Sequence, residues 1–387
     1  MPGIRLVPVP PCRHGPPLPF RRTAGSIPQR LRDPNSGARR TATGNRVRRY
    51  SPASMSVRPA FTIMDIARAA GVSRTTASAA LGGSGRVSAA TRDRVQAIAA
   101  QMGYVPNPTA RHLKAGRTGA IAIYVPNNLF GYPFYAEFAF GAAEASREDA
   151  FALTLLSSGP VAHADGIIVV DPVSGDRVVH ELLASGRPVV AAERYLDPGP
   201  QPVATVQTEY GDAQRELLDH LWDRGARSVA LLSISVDFSW KRLIEDVYRS
   251  WCEEREIPPS IHVLERGSEA DVVRRDVRAL LEAHPNVDAV AAMADGTALG
   301  VVAAAHDLGR TVGHDLLVCS SIDSLAMRFA TPAITAMSAP PREIGRDAAR
   351  VLLDILHGRE VPPVLHRPKP PVVIRESTVP HQPATPL

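Results

Sequence analysis

Cysteine is scarce in this chain. The three present, Cys12, Cys252 and Cys319, have no paired spacing, which gives no disulfide frame or metal set and fits a reducing cytoplasm. No stretch reaches the about twenty apolar residues a membrane-spanning helix needs. The N-terminal region has no apolar run long enough for a secretory signal. Signatures of catalysis are missing as well: no Gly-rich phosphate loop, no G-x-S-x-G, no H-E-x-x-H and no Cys/His cluster. His163, His180, His220, His284 and His306 are scattered, and no nucleophile, base and orienting group stand at a spacing that nominates them. Neither catalytic residues nor metal ligands nor a cofactor are therefore expected. An enzyme carrying a fused second module is the lesser reading.

What is present starts with Thr62 to Leu81, TIMDIARAAGVSRTTASAAL, which reads as two short helices around a tight turn. Thr62 caps the first, with Asp65 in the capping-box position. Ile63, Ile66, Ala67 and Ala70 fall on one face. Gly71 supplies the turn, Val72 plugs the angle, and Ser73 caps the second helix. That helix shows Arg74, Thr75, Thr76 and Ser78 outward and Ala77 and Leu81 inward. Short donors and acceptors beside one arginine suit base edges and phosphates; an ordinary alanine-rich hairpin is the plainer alternative. After Gly82, Gly83 and Gly85, Ser88 caps a third helix in which Val95, Ile98 and Met102 share a face and which Gly103 ends. A short candidate helix follows, with Asn107 as cap, Pro108 in its first turn and Gly116 past its end. Its apolar content is Ala110, Leu113 and Ala115, flanked by Arg111, Lys114 and Arg117. Eight or so residues cannot hold a helix alone, so this one is expected to fold on contact with DNA.

Charge divides the chain in the same place. Residues 1–56 carry net +10 and residues 57–118 net +7, leaving −12 of the whole chain's +5 for residues 119–387. Only the N-terminal part attracts a phosphate backbone. The proline- and arginine-rich first 54 residues lack an apolar period and are expected to be disordered.

From Ala120, short apolar runs alternate with amphipathic segments. They are AIAIYVP, Glu137–Ala150, FALTLL, DGIIVV, Arg177–Ser185 and PVVAA, then Tyr210–Arg224, SVALLSI, Leu243–Glu256, IHVLE, Val272–His284, VDAVAAM, Ala298–Leu308 and DLLVCSS. The alternation predicts an α/β fold of parallel sheets flanked by helices, in two lobes. One interval breaks the pattern. FALTLL ends near Leu156 and DGIIVV begins at Asp165, and eight residues are too few for a parallel crossover. Either the first lobe is trimmed or one of the two segments is not a sheet strand.

Residues 61–118 resemble the headpiece and hinge helix of the LacI/GalR-type bacterial repressor family. The resemblance is carried in order by AGVSxxT (Ala70–Thr76), VSxxTRxxV (Val87–Val95), GYxPN (Gly103–Asn107) and ARxL (Ala110–Leu113). It implies that Arg74 and Thr75 sit where base-reading residues sit, and that Leu113 matches a leucine wedged into the minor groove beside Lys114. Thr62, Ser73, Thr76, Ser78, Asn107 and Arg111 complete the expected DNA-binding set. Ala79 departs from the pattern, standing where many members carry a guanine-reading arginine. Residues 119–378 resemble the family's periplasmic-binding-protein-like effector domain, best in ADGTALGVVAAAHDLGRTVGHDLLV. By that likeness Asp295 is a ligand-binding aspartate, with helix capping as its alternative. Phe134 matches an aromatic facing the ligand, or packs. Arg242 lies near a ligand-binding arginine, although Glu245 replaces the usual glycine. Glu193 begins a Glu-Arg pair at the lobe crossover, a solvated ion pair being the alternative, and Asp323 follows Ser320-Ser321-Ile322 in place of Gly-Phe-Asp.

The expected organisation is a basic extension (1–56), a headpiece (57–106), a hinge helix and linker (107–118), an effector-binding and dimerisation domain (119–378) and a disordered tail (379–387). The extension is open to three readings: a basic arm, a transit peptide, or residues upstream of a true start at Met55, which MSVRPAFTIMDIA favours. The resemblance implies a cytoplasmic, nucleoid-associated homodimeric repressor on a near-palindromic operator, answering to a small molecule, a sugar above all. The alternative is a sugar-binding protein whose headpiece has weak or lost DNA binding.

Overall fold

The computed structural model describes residues 61–82, 86–104, 116–126, 132–156, 163–264, 270–294 and 296–379. The hinge segment with Asn107, Arg111, Leu113 and Lys114 lies outside them, as do Asp295, residues 1–60 and the tail from 380.

Three helices form the N-terminal module: α1 (Ile63–Ala69), α2 (Arg74–Gly82) and α3 (Ala89–Gln101). Their small core comprises Ile66, Ala67, Ala70, Ala77, Ala80, Val95 and Ala99, with Val72 and Leu81 half-buried against it. Alanines let the helices approach closely, and Val72 fills the angle as its place after Gly71 predicts. The inward residue of α2 beside Ala77 is Ala80, with Leu81 at the margin, because the helix runs on through Gly82.

Lobe 1 holds β1 (Ala120–Tyr124), α4 (Pro133–Glu148), β2 (Ala152–Leu156), β3 (Gly166–Val170), α5 (Arg177–Leu183), β4 (Val189–Ala192) and β5 (Ala204–Thr208). Lobe 2 follows with α6 (Tyr210–Asp223), β6 (Val229–Ile234), α7 (Ser239–Glu254), β7 (Ser260–Leu264), α8 (Ala270–Ala283), β8 (Ala289–Ala292), α9 (Thr297–Asp307), β9 (Leu317–Ser320), α10 (Leu325–Phe329) and β10 (Thr335–Met337). The chain then returns to lobe 1 for α11 (Pro341–Leu356) and β11 (Val364–Arg367), and crosses once more for β12 (Val372–Val373) and the 3-10 turn Glu376–Thr378. The sheet orders are β11-β5-β4-β3-β1-β2 and β12-β10-β9-β8-β6-β7. Apart from the antiparallel β12, every pairing is parallel. The lobes thus repeat one doubly wound topology, whose ligand positions lie beyond the carboxyl ends of the strands.

Both segments flanking the short interval are strands. β1 pairs in parallel with β2 on one side and β3 on the other. The expectation that so short a connection could not cross is therefore corrected. β1 is five residues long, about 17 Å at strand rise. The nine residues from 157 to 165 can reach about 30 Å when extended, enough to return past one short strand. β2 is left as an exposed edge.

The tightest helix contact in lobe 1 is between α4 and α11. A Cβ on Gly141 would lie 1.8 Å from the Arg342 carbonyl oxygen, and one on Gly345 2.0 Å from that of Phe138. Around this crossing Glu144 accepts from Arg342 and Arg346, and Glu137 from Arg342.

Candidate DNA-binding and effector sites

The first helix begins as its capping box requires: the Thr62 amide and hydroxyl both donate to Asp65 Oδ2, at 2.9 and 2.8 Å. Those bonds, the amide's first, hold the Asp65 carboxyl below its ordinary pKa. Gly71 turns the chain at φ 62°. Ser73 Oγ then accepts from the Thr76 amide at 3.0 Å and bonds the hydroxyls of Thr75 (2.7 Å) and Thr76 (2.8 Å). Three hydroxyls are thereby pre-arranged at the amino end of α2, where free backbone N–H groups and the helix dipole favour a phosphate. Ser73, Arg74 and Thr75 are exposed, while Thr76, Ser78 and Ala79 are half-buried. The six expected DNA contacts within the described residues share the capped start of α1 and the capped start and outer face of α2; the other four fall in the hinge segment.

Chain entry into lobe 1 is anchored. The amides of Thr118 and Gly119 donate to Asp165 at 2.8 and 2.9 Å, and the Arg117 guanidinium donates to the Leu356 carbonyl at the end of α11.

Between the lobes, the loop after β3 meets the loop after β6. Val173 and Phe238 form an isolated antiparallel bridge, and the Ser174 amide donates to the Asp237 carbonyl at 3.5 Å. Asp197 accepts from the Gly175 amide (2.6 Å) and the Tyr195 hydroxyl (3.2 Å). The Gly175 bond first, with Arg242 across the lobe boundary adding attraction, lowers the Asp197 pKa. Arg242 is itself clamped to Asp237, Nε to Oδ1 at 2.7 Å.

Behind this seam the strand ends of lobe 1 carry polar groups. Glu193, 6% exposed, has φ 77° and accepts from the Thr208 amide at 3.1 Å. It is buried, not the solvated partner of Arg194, whose side chain is exposed. Burial above all, then the nearby Asp171, raises its pKa well above the usual carboxylate value. Asp171, at φ 46°, accepts from the Tyr135 hydroxyl at 2.8 Å. Phe134 is half-buried, edge-on to Tyr135 with centroids 5.4 Å apart. On the lobe 2 side, the buried Ser321 hydroxyl donates to Gln214 Oε1 at 2.8 Å.

Tyr135 links two of the expected residues, touching Phe134 with its ring and reaching Asp171, the neighbour of Glu193, with its hydroxyl; Arg242 lies at the seam. Asp323 is elsewhere engaged: its side chain, 1% exposed, takes a two-pronged pair from Arg375 (3.0 and 2.9 Å) and a bond from Arg328 (3.2 Å). Asp171, Tyr135 and Gln214 were not singled out by sequence reasoning, whereas Gln207-Thr208 stands where the family usually carries Asp-Asn ahead of Gly211. The readable signals were an aspartate directly after an all-apolar strand and a glutamine at a core position of α6.

A helix-turn-helix module ahead of two like-folded lobes with polar strand ends between them defines a ligand-responsive class of DNA-binding regulator. A family model for bacterial regulatory proteins of the lacI family matches residues 62–107, and one for a periplasmic binding protein-like domain matches residues 218–378. The HTH-type transcriptional regulator CelR of Thermobifida fusca is 30% identical over 336 residues, 82% of this chain and 98% of the relative. Catabolite control protein A of Staphylococcus xylosus is 26% identical, covering 78% and 94%. The chain belongs to the lacI family and is a DNA-binding transcriptional regulator. Among solved structures, a transcriptional regulator CelR–cellobiose complex superposes with a TM-score of 0.61 at 28% identity, covering 82% of this chain and 99% of the other. The lac repressor dimer bound to operator and the anti-inducer ONPF gives 0.66 at 21% identity, covering 83% and 99%, a likeness of fold. Among the described residues no helix is long and apolar enough to cross a membrane.

Proposed function

We propose that the protein is a homodimeric repressor of the cytoplasm and nucleoid that binds a near-palindromic operator and is controlled by a sugar held between its lobes. The observation that carries this reading is the joining, in one chain, of an exposed Arg74/Thr75 helix start to an interlobe wall bearing Glu193 and Phe134. Cellobiose in the CelR complex supports the sugar class.

The headpiece (57–106) reads the major groove through Arg74 and Thr75, while Thr62, Ser73, Thr76 and Ser78 set its position on the backbone. The hinge (107–118) adds Asn107, Arg111 and Lys114, with Leu113 as a minor-groove wedge. The effector domain (119–378) holds the sugar with Asp295, Glu193 and Phe134, and Arg242 guards the opening. Asp323 shapes the site through its pair with Arg375. Edge strands β2 and β7 hold equivalent places in the two sheets, and each exposes an apolar side chain, Leu155 (53%) and Val263 (58%). Phe329 of α10 is 82% exposed. A second copy covering these residues forms the dimer, and its two-fold axis matches that of the operator.

Sugar binding acts only through its different affinity for two lobe arrangements. The bridge at Val173–Phe238 is the contact such a change remakes, and the Arg117–Leu356 bond carries it toward the hinge. Selection from random duplex DNA with the full chain tests the reading. A palindromic consensus bound with a steep salt dependence is expected. Enrichment of generic DNA alone would favour a sugar-binding protein with a lapsed headpiece.

A further inference from the structure

We propose that Asp171, side by side with Glu193, sets the class of effector: the cleft takes a neutral, hydroxyl-rich sugar and turns away phosphorylated or carboxylated ones. The inference rests on the effector-controlled reading above and narrows it.

The two acids end neighbouring parallel strands. Pairing of Val170 with Ala192 puts Asp171 and Glu193 abreast, with strands about 4.8 Å apart. Both side chains are buried, at 7% and 6% exposure, and both backbones sit in the left-handed region that side-chain-bearing residues rarely adopt. The conformation is pinned on each: the Asp171 amide donates to the Ala192 carbonyl, and the Glu193 amide to that of Val206, both at 2.9 Å. Two carboxyl groups are thus held toward the end of the sheet at which this topology binds ligands.

The surroundings point to a ligand of mixed hydrogen-bonding character. One buried group nearby has no hydrogen-bond partner: Gln214 Nε2, whose sister Oε1 is occupied by Ser321. Gln214 lies one turn along α6 from Tyr210, which neighbours Glu193 and Asp171. Buried polar atoms without partners are uncommon in native proteins and mark places where something else supplies the bond. A hydroxyl both donates and accepts, so one polyol can serve the carboxyl acceptors and the amide donor together. A phosphate or carboxylate group only accepts, and it would bring negative charge against Asp171. An ammonium satisfies the acids and leaves Gln214 Nε2 orphaned.

Calorimetry on the full chain tests this with glucose, maltose and cellobiose beside glucose 6-phosphate and glucuronate. The best neutral sugar is expected to bind at least tenfold tighter than either anion. In Asp171→Asn, which keeps the size and removes the charge, the ratio is expected to fall below threefold; Asp171→Ser provides the same test if the first variant unfolds. An anion binding as tightly as the best neutral sugar, or a ratio unchanged in both folded variants, overturns the inference and leaves the effector reading standing. No heat from any of the five, with operator affinity equally indifferent to them, removes both.

Discussion

At Glu193 a carboxyl group is carried on a strained backbone, deep in the protein, next to Asp171, with Glu209 and Tyr210 close by. Left-handed φ on a non-glycine residue costs about 1–3 kcal/mol, so two such residues in one wall are a sacrifice of stability that a binding site accounts for. Linkage gives the sign of the pH effect. The raised pKa means the native state keeps a proton that the unfolded chain releases near the ordinary value of 4.5. Stability is therefore lost as pH rises from there toward the folded value, and Glu193→Gln should remove that part of the loss. Urea melts at pH 5 and pH 8 should show a smaller pH dependence in the variant than in wild type; an equal dependence would place the titration elsewhere. In the headpiece, Arg74→Ala should weaken binding to the selected operator by about 1–3 kcal/mol, if it makes a two-pronged base contact, and generic DNA far less. Equal losses on both DNAs, measured by anisotropy, would make Arg74 a phosphate contact.

Pairs of elements show what the sequence could and could not reveal. Helices and strands from β1 to β9 were readable, except β5, because apolar runs and amphipathic stretches alternate there. β5 (ATVQT) was missed because polar side chains interrupt it, and β11 and β12 because they are short segments among prolines. α11 was missed as well, although its sixteen residues close lobe 1. Its start lies behind consecutive prolines, and its meaning lies in Gly141 and Gly345, whose close approach only three dimensions disclose. The candidate site divides similarly. Family motifs pointed to Glu193 and Phe134, but the Asp171–Glu193 pair is made by strand register, which no local pattern encodes. Gly345→Ala should destabilise the protein by about 1–3 kcal/mol, since its methyl group would meet backbone rather than a movable side chain. An unchanged thermal midpoint would mean the helices slide apart freely. At the open edges, Leu155→Asp with Val263→Asp should convert the dimer to monomer in light scattering. A dimer that survives both changes would place the interface on other elements.

Seen whole, the protein is a basic reader fused to an acidic sensor, with net +7 on residues 57–118 and −12 beyond them. With net +10 on residues 1–56 as well, such a split confines phosphate attraction to the N-terminal part, so that nonspecific affinity does not grow with the size of the sensor. Each lobe repeats the same strand order, and the chain passes between them at 208–210, 338–341 and 367–371. The last passage is tied to both lobes, with Arg367 paired to Asp347 and Glu343 and Lys369 to Glu216. For a sugar to control repression, its binding must alter how the headpieces sit on DNA. Titration of labelled operator with the full chain, with and without the best-binding sugar, at fixed salt, should show a change in operator affinity of fivefold or more, with generic DNA unaffected. A sugar that binds the cleft and leaves operator affinity the same would show that the two sites are uncoupled.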